Sequence, residues 1–266
     1  MKTVKRCLLI AICLVTASMA TAQGVRRDLT FTVGPSLLNY ADLGSSPLAY
    51  NGSGLFVGAG LTNLSKRVLT DYGVTLRAGA CGHANSSGTS MFFQPALHAD
   101  VLFEVFSAAP ARVWAGVSAS DHLCIIVNEA LMNASLSLSN FFSVNLAART
   151  SITLPEVPWN GHLWTLDAAF TISPWSLVSR PGYAYVADGT ASTDVLDALF
   201  GGYQSRSCFL AETSFVLGAT RILSNGNRIR FGYDWQSLDS RRCTPHRYVE
   251  ADHTLSATFF FNLRHP

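Results

Sequence analysis

The chain has 266 residues, of which 14% are charged, and a formal net charge of +2. That small positive excess speaks against a surface devoted to nucleic acid or another polyanion. The charged fraction lies below the ~25% usual for soluble domains and mean hydropathy is positive, yet no stretch after the N-terminus approaches the ~18 uninterrupted apolar residues of a membrane helix.

The first residues read as an export signal. Lys2, Lys5 and Arg6 form a basic start, residues 7–15 an apolar core, and Ala20-Thr21-Ala22 a small-x-small cleavage site before Gln23. Cys13 follows Ile12 inside the apolar core, which argues against a lipoprotein site. Residues 1–22 are therefore expected to be a signal peptide and 23–266 the mature protein, 266 − 22 = 244 residues. No repeat, low-complexity tract or linker divides them, so a single large all-β domain is expected.

Ten segments then alternate with period two: residues 29–34, 55–62, 72–79, 91–106, 113–120, 142–151, 164–172, 209–220, 228–236 and 254–263. The fourth is the longest. Met91, Phe93, Pro95, Leu97, Ala99, Val101, Phe103 and Val105 are all apolar, while Gln94, His98, Asp100 and Glu104 fall on the other parity. A strand sends alternate side chains to opposite faces, so this run has one uniformly apolar face. It exceeds the ~5–6 residues of an ordinary soluble strand and reaches the ~9–11 needed to cross a bilayer at a tilt. A sandwich or lipocalin-like strand with a buried apolar face is the alternative.

The connections favour the membrane reading. Residues 63–71, 107–111, 155–161 and 224–227 are mostly short, and Asn225-Gly226 is a hairpin signal. Those between them, residues 38–54, 82–90, 121–140, 173–208 and 237–253, are mostly long. Short turns at one end and long loops at the other are the plan of an outer-membrane barrel, with periplasmic turns and extracellular loops. The expected fold is all-β: a single closed antiparallel transmembrane β-barrel of about ten strands, with twelve as the alternative. Tyr72, Trp114, Trp159, Trp164, Tyr233, Trp235, Phe259 and Phe261 fall near strand ends, where aromatic residues form the interfacial girdles.

The closing segment TLSATFFFNL resembles the terminal assembly signal of bacterial outer-membrane proteins, departing from it by the four residues after Asn262. The pieces ARVWAGVSA at 111–119, NEALMNASLSLS after it, LVSRPGYAY at 177–185 and RIRFGYDWQ at 228–236 resemble an uncharacterised barrel family of Bacteroidetes outer membranes. The resemblance spans about half of the mature chain and brings no catalytic residues with it. It implies a Gram-negative outer-membrane location, contact with outer-membrane lipid and insertion by the barrel-assembly machinery.

Cys7 and Cys13 belong to the signal segment, leaving Cys81, Cys124, Cys208 and Cys243, all near the long-loop end. Four exported cysteines suggest two disulfides; of the three pairings they allow, none of which the sequence selects, proximity around the barrel favours Cys81–Cys124 and Cys208–Cys243. No CxxC spacing supports a zinc site. Arg77, Arg149, Arg228 and Arg230 share the inward parity with His98, Asp100, Glu104, Asp167, Glu212 and Asp234. In a narrow ten-strand lumen such charges should pair and close it; a selective path lined by them is the alternative. Gly58, Gly60, Gly79, Gly116, Gly218 and Gly232 leave room beside the long arginines.

Catalysis would need a rim constellation like those of omptin proteases, outer-membrane phospholipases or lipid A deacylases. His122 and His253, each after an Asp, are the weak candidates, with His83 and His246 in loops. Adjacent strand residues point to opposite faces, so neither Asp-His dipeptide is a ready dyad. No Walker loop, GxGxxG, HExxH, EF-hand loop or GxSxG occurs, and neither a metal nor a cofactor is expected. The sequence thus points to a non-enzymatic outer-membrane barrel, with extracellular loops for a ligand or surface contact or with a narrow conduit. A rim hydrolase is the alternative.

Overall fold

The computed structural model describes residues 26–83, 86–128, 130–131, 136–155, 163–181, 203–244 and 246–263. The expected signal peptide and Trp159 lie outside the described residues. Eleven strands follow one another: β1 Arg26–Asp42, β2 Ala49–Leu64, β3 Val68–His83, β4 Ser86–Ala108, β5 Ala111–Val127, β6 Leu136–Thr153, β7 Trp164–Pro181, β8 Tyr203–Cys208, β9 Glu212–Ile222, β10 Arg228–Asp239 and β11 Tyr248–Asn262. Successive strands pair antiparallel except β8 and β9, which both pair with β7, and β1 pairs with β11 while β6 pairs with β7, which closes the sheet.

Ten positions make up the barrel. The lower part of β7, from Trp164 to Ile172, pairs with β9, and its upper part, from Ser176 to Pro181, pairs with β8. β8 and β9 therefore share one position, interrupted at Leu210, whose φ is 56°. The strand expected over 209–220 starts only at Glu212. Phe209 stands 57% exposed while Ala211 is fully buried, so the expected common face fails across the interruption.

The register sets the tilt. From Phe31, one way around runs through Phe259, Ile229 and Arg221 to Trp164. The other way runs through Ala59, Val74, Leu97, Asp121 and Phe142 to Leu177. The two arrivals on β7 are 177 − 164 = 13 residues apart, bulges included. Ten strands ~4.8 Å apart with that stagger tilt by about 40°.

The faces follow the alternation. On β4, Met91, Phe93, Leu97, Phe103 and Val105 point out, between 45% and 63% exposed, while Phe92, Gln94, Ala96 and Leu102 are buried inside. Phe31, Val33, Leu55, Val57, Val74, Val117, Leu146, Phe170, Leu217 and Phe231 continue the apolar outer belt. A run of fifteen residues tilted at about 40° rises roughly 35 Å, enough for a hydrocarbon core. Phe31 packs edge-on to Phe261 near one margin of this belt, and Phe142 packs against Trp175 near the other. Trp114, expected in a girdle, instead points inward and is 5% exposed.

Among the described residues the long connections are mostly strand. β1 runs on to Asp42 and β2 begins at Ala49, so residues 43–48 are all that remains of a connection expected over 38–54. The same extension shortens those expected over 82–90, 121–140 and 237–253, and β8 lies within the fourth, 173–208. Along β1 the pattern inverts at Leu37 and Leu38: the outward row passes from Leu37 to exposed Asn39, and the inward row passes from Ser36 to buried Leu38 and Tyr40. β2 does likewise, with Asn51 and Ser53 out and Tyr50 in. Beyond the belt the outer surface is wetted, so apolar side chains retreat to the lumen.

Candidate functional site

The lumen is filled in layers. At the loop end Tyr40 stacks on Tyr50 with ring centroids 5.1 Å apart, and Tyr248 packs against Tyr40 and Phe141. Leu38, Phe92, Ile126, Val178 and Leu238 complete this core. Gly79 makes it fit: a Cβ there would stand 2.8 Å from Cζ of Phe92. One ion pair is enclosed in it. Arg180 reaches Asp42 at 2.5 Å, both nearly inaccessible, and its guanidinium lies 5.0 Å from the Tyr248 ring centre. Arg180 also donates to Ser139, Ser240 and the His246 carbonyl, while Ser137 donates to Asp42. A buried charge pair is tolerated only with such complete partnering.

Below it lies a polar network. Arg77 meets Asp252 at 3.1 Å and donates to Gln236 Oε1 at 2.8 Å. Asp252 accepts from Ser36 and Thr254, and Glu250 accepts from Gln94 and from the Tyr248 hydroxyl. Glu212 lies 3.1 Å from His122 Nε2 and accepts from Ser120 at 2.5 Å and from Gln236 at 3.3 Å. Ser120 thus gives its proton to the carboxylate, and in turn accepts from Asn145. The carboxylate bridges hydroxyl and imidazole, so the nucleophile–base contact of a hydrolytic triad is not made.

Toward the end that carries both termini the charges multiply. Asp71 and Asp100 sit directly opposite on β3 and β4, an arrangement that is unfavourable unless compensated. Ser118 donates to Asp100 at 2.5 Å, and Arg149 approaches Asp71 at 3.5 Å. Asp234 accepts from Ser256 and Asp167 from Thr220. Arg230 lies against Gly218, where a Cβ would stand 2.8 Å from its Cδ. Arg228 and Arg26 share Asp28, at 2.6 and 2.8 Å. Arg112 is 3.9 Å from Glu104. This end opens into a cavity of about 1020 Å³.

The ten residues expected in the lumen network, Arg77, His98, Asp100, Glu104, Arg149, Asp167, Glu212, Arg228, Arg230 and Asp234, all lie on inward-facing strand positions. Five of them, Arg77, Glu104, Arg149, Glu212 and Arg228, make ion pairs with residues outside that set: Asp252, Arg112, Asp71, His122 and Asp28. Asp42, Arg180 and Glu250 were missed altogether; each lies on a strand extension that reads as loop. His122 is in the lumen, whereas His253 is on the outer surface, with Nδ1 2.7 Å from the Tyr233 hydroxyl. His83 contacts the Ala49 carbonyl. Cys208 and Cys243 form a disulfide. Cys81 and Cys124 are free and buried, which corrects the expected Cys81–Cys124 pairing. They sit on β3 and β5 with β4 between, and two strand spacings are ~9.6 Å, beyond the ~7 Å limit for a bridge.

No family model and no curated protein matches the chain. Among solved structures, the outer membrane protease OmpT from Escherichia coli superposes with a TM-score of 0.54 at 7% identity, over 91% of this chain and 98% of that one. The translocator domain of the autotransporter NalP from Neisseria meningitidis gives 0.39 at 9% identity, over 97% of each chain. Ail, the attachment invasion locus protein of Yersinia pestis, gives 0.31 at 10% identity, over 89% of this chain and 100% of that one. With the apolar belt and closed register, the first of these likenesses makes the fold that of an outer-membrane β-barrel.

Proposed function

We propose that this protein is a non-conducting barrel of a Gram-negative outer membrane. It is exported by a signal peptide cleaved near Ala22, folded by the barrel-assembly machinery and active through its loop end. The observation that carries this reading is the filled lumen: the Tyr40–Tyr50–Tyr248 core with its enclosed Arg180–Asp42 pair lies above the Arg77–Asp252 and His122–Glu212 network. An open aqueous channel belongs to barrels of ~16–18 strands. The Cys208–Cys243 bond ties β8 to the connection after β10, which gives the loop end a fixed surface for an extracellular ligand.

The test is conductance. Purified protein in a planar bilayer should give no steady current, and a stable, ion-selective step would overturn the proposal. The second reading, a hydrolase, rests on the His122–Glu212 pair with Ser120 beside it. Release of product from phospholipid vesicles or a peptide, abolished by His122→Ala, would promote it. The likeness to the OmpT protease extends to the fold alone.

A further inference from the structure

The cavity at the end that carries the termini is built unlike the rest of the lumen. Four guanidiniums line it, those of Arg26, Arg112, Arg149 and Arg228, against two carboxylates, Asp28 and Asp167. Asp28 already serves two of the arginines. The pairs made by the other two, Arg149 with Asp71 at 3.5 Å and Arg112 with Glu104 at 3.9 Å, are long. A guanidinium has five N–H donors, so contacts at that range leave donors for an anion.

A second observation points the same way. Trp114 lines the cavity and is 5% exposed, yet among the described residues its indole N–H has no hydrogen-bond partner. Arg228 Nε is likewise unpartnered. A buried donor without an acceptor is destabilising, and a ligand oxygen would remove that cost. In register, Trp114 stands between Glu104 on β4 and Arg149 on β6, so Trp114 and Arg149 are neighbours on one wall. Leu64, Leu69, Pro110, Leu154, Leu163 and Ile222 supply an apolar lining beside the charges. A volume of about 1020 Å³ is far larger than an inorganic anion needs and is that of a pocket for an organic ligand.

We propose that this cavity binds a small amphipathic anion. Its carboxylate or phosphate would lie against Arg112, Arg149 and Trp114 Nε1, and its apolar part against the leucines and Ile222. A soluble organic acid and a lysophospholipid both present this chemistry.

The test is calorimetric titration of the full protein in zwitterionic nanodiscs, with empty nanodiscs as the blank. Octanoate, octyl phosphate, octanol and acetate are the probes. Octanoate or octyl phosphate should saturate one site, the tighter of the two assigning the headgroup. Octanol and acetate should each bind at least about tenfold more weakly, because each lacks half of the recognition. Arg149→Gln should weaken the anion about tenfold. Trp114→Phe, which keeps a ring and removes the N–H, should weaken it roughly fivefold. Octanol equal to octanoate would overturn the anion site, and acetate equal to octanoate would overturn its apolar half. Both comparisons use the wild type and do not depend on how a variant folds. Affinity unchanged in both variants would also overturn the assignment.

Discussion

The two ends of the lumen solve opposite problems with the same strands. At the loop end the outer surface carries Asn39, Asn51 and Ser53, and the interior is Tyr40, Tyr50, Phe92, Phe141 and Tyr248 around one ion pair. Through the apolar belt and down to the termini the outside is apolar, and the inside holds Arg149, Arg228 and Arg230 with Asp71, Asp100 and Asp234. Water decides which side is greasy. Where it wets the outside, the barrel has an ordinary hydrophobic core. Where lipid covers the outside, the polar residues go inward. The molecule is a soluble-type barrel stacked on a membrane barrel, and the join is visible as the inversion at Leu37–Leu38.

The largest effect should come from the enclosed pair. Arg180→Ala leaves Asp42 2% exposed with its cation gone. Breaking a buried pair from one side costs about 3–5 kcal/mol. Urea unfolding of the barrel in bilayers should show that loss; a cost near zero would mean that water reaches the loop-end core.

A smaller effect should separate the two outer surfaces. Leu97→Arg places a charge in the lipid belt and should cost ~2–4 kcal/mol, whereas Asn39→Arg, on an outward position past the inversion, should cost ~0–0.5 kcal/mol. Equal costs would erase the boundary between the stacked barrels. The readout is the folded fraction after assembly into lipid, followed by heat-induced gel mobility.

The lower barrel was legible because its alternation has one sign. Phe31, Val33, Leu97, Leu146 and Leu217 point to lipid as their parity requires, and Arg77, Arg149, Arg228 and Arg230 point inward. The upper strands were not legible as such. A search for a continuous apolar face loses β1 at Leu38, where the period persists but its sign changes, so 38–54 reads as a loop. The partners Asp42, Arg180, Glu250 and Asp252 fall in those stretches. Asp28 and Asp71 were missed for another reason: they stand one residue before Leu29 and Tyr72, where the expected strands begin. The Cys81–Cys124 expectation took nearness in loops for nearness in space, and an intervening strand separates them. Nothing in one-dimensional periodicity marks the orphan N–H of Trp114, since which donors lack acceptors depends on closure of the whole ring.

The smallest effect concerns the same substitution at the opposite end. Arg112 lies on β5 at the mouth of the cavity, its side chain 53% exposed and 3.9 Å from Glu104. An exposed pair in high dielectric is worth about 0–1 kcal/mol, and at that length the lower half of the range applies. Arg112→Ala should therefore change unfolding stability by at most about 0.5 kcal/mol, and raising salt should shrink even that. The contrast with Arg180→Ala is the point of the measurement, because both remove one guanidinium from one lumen. Glu104 keeps access to water when its partner leaves, whereas Asp42 does not. If Arg112→Ala proved as costly as Arg180→Ala, the end with the termini would be as tightly closed as the loop end. The cavity would then be no place for a ligand.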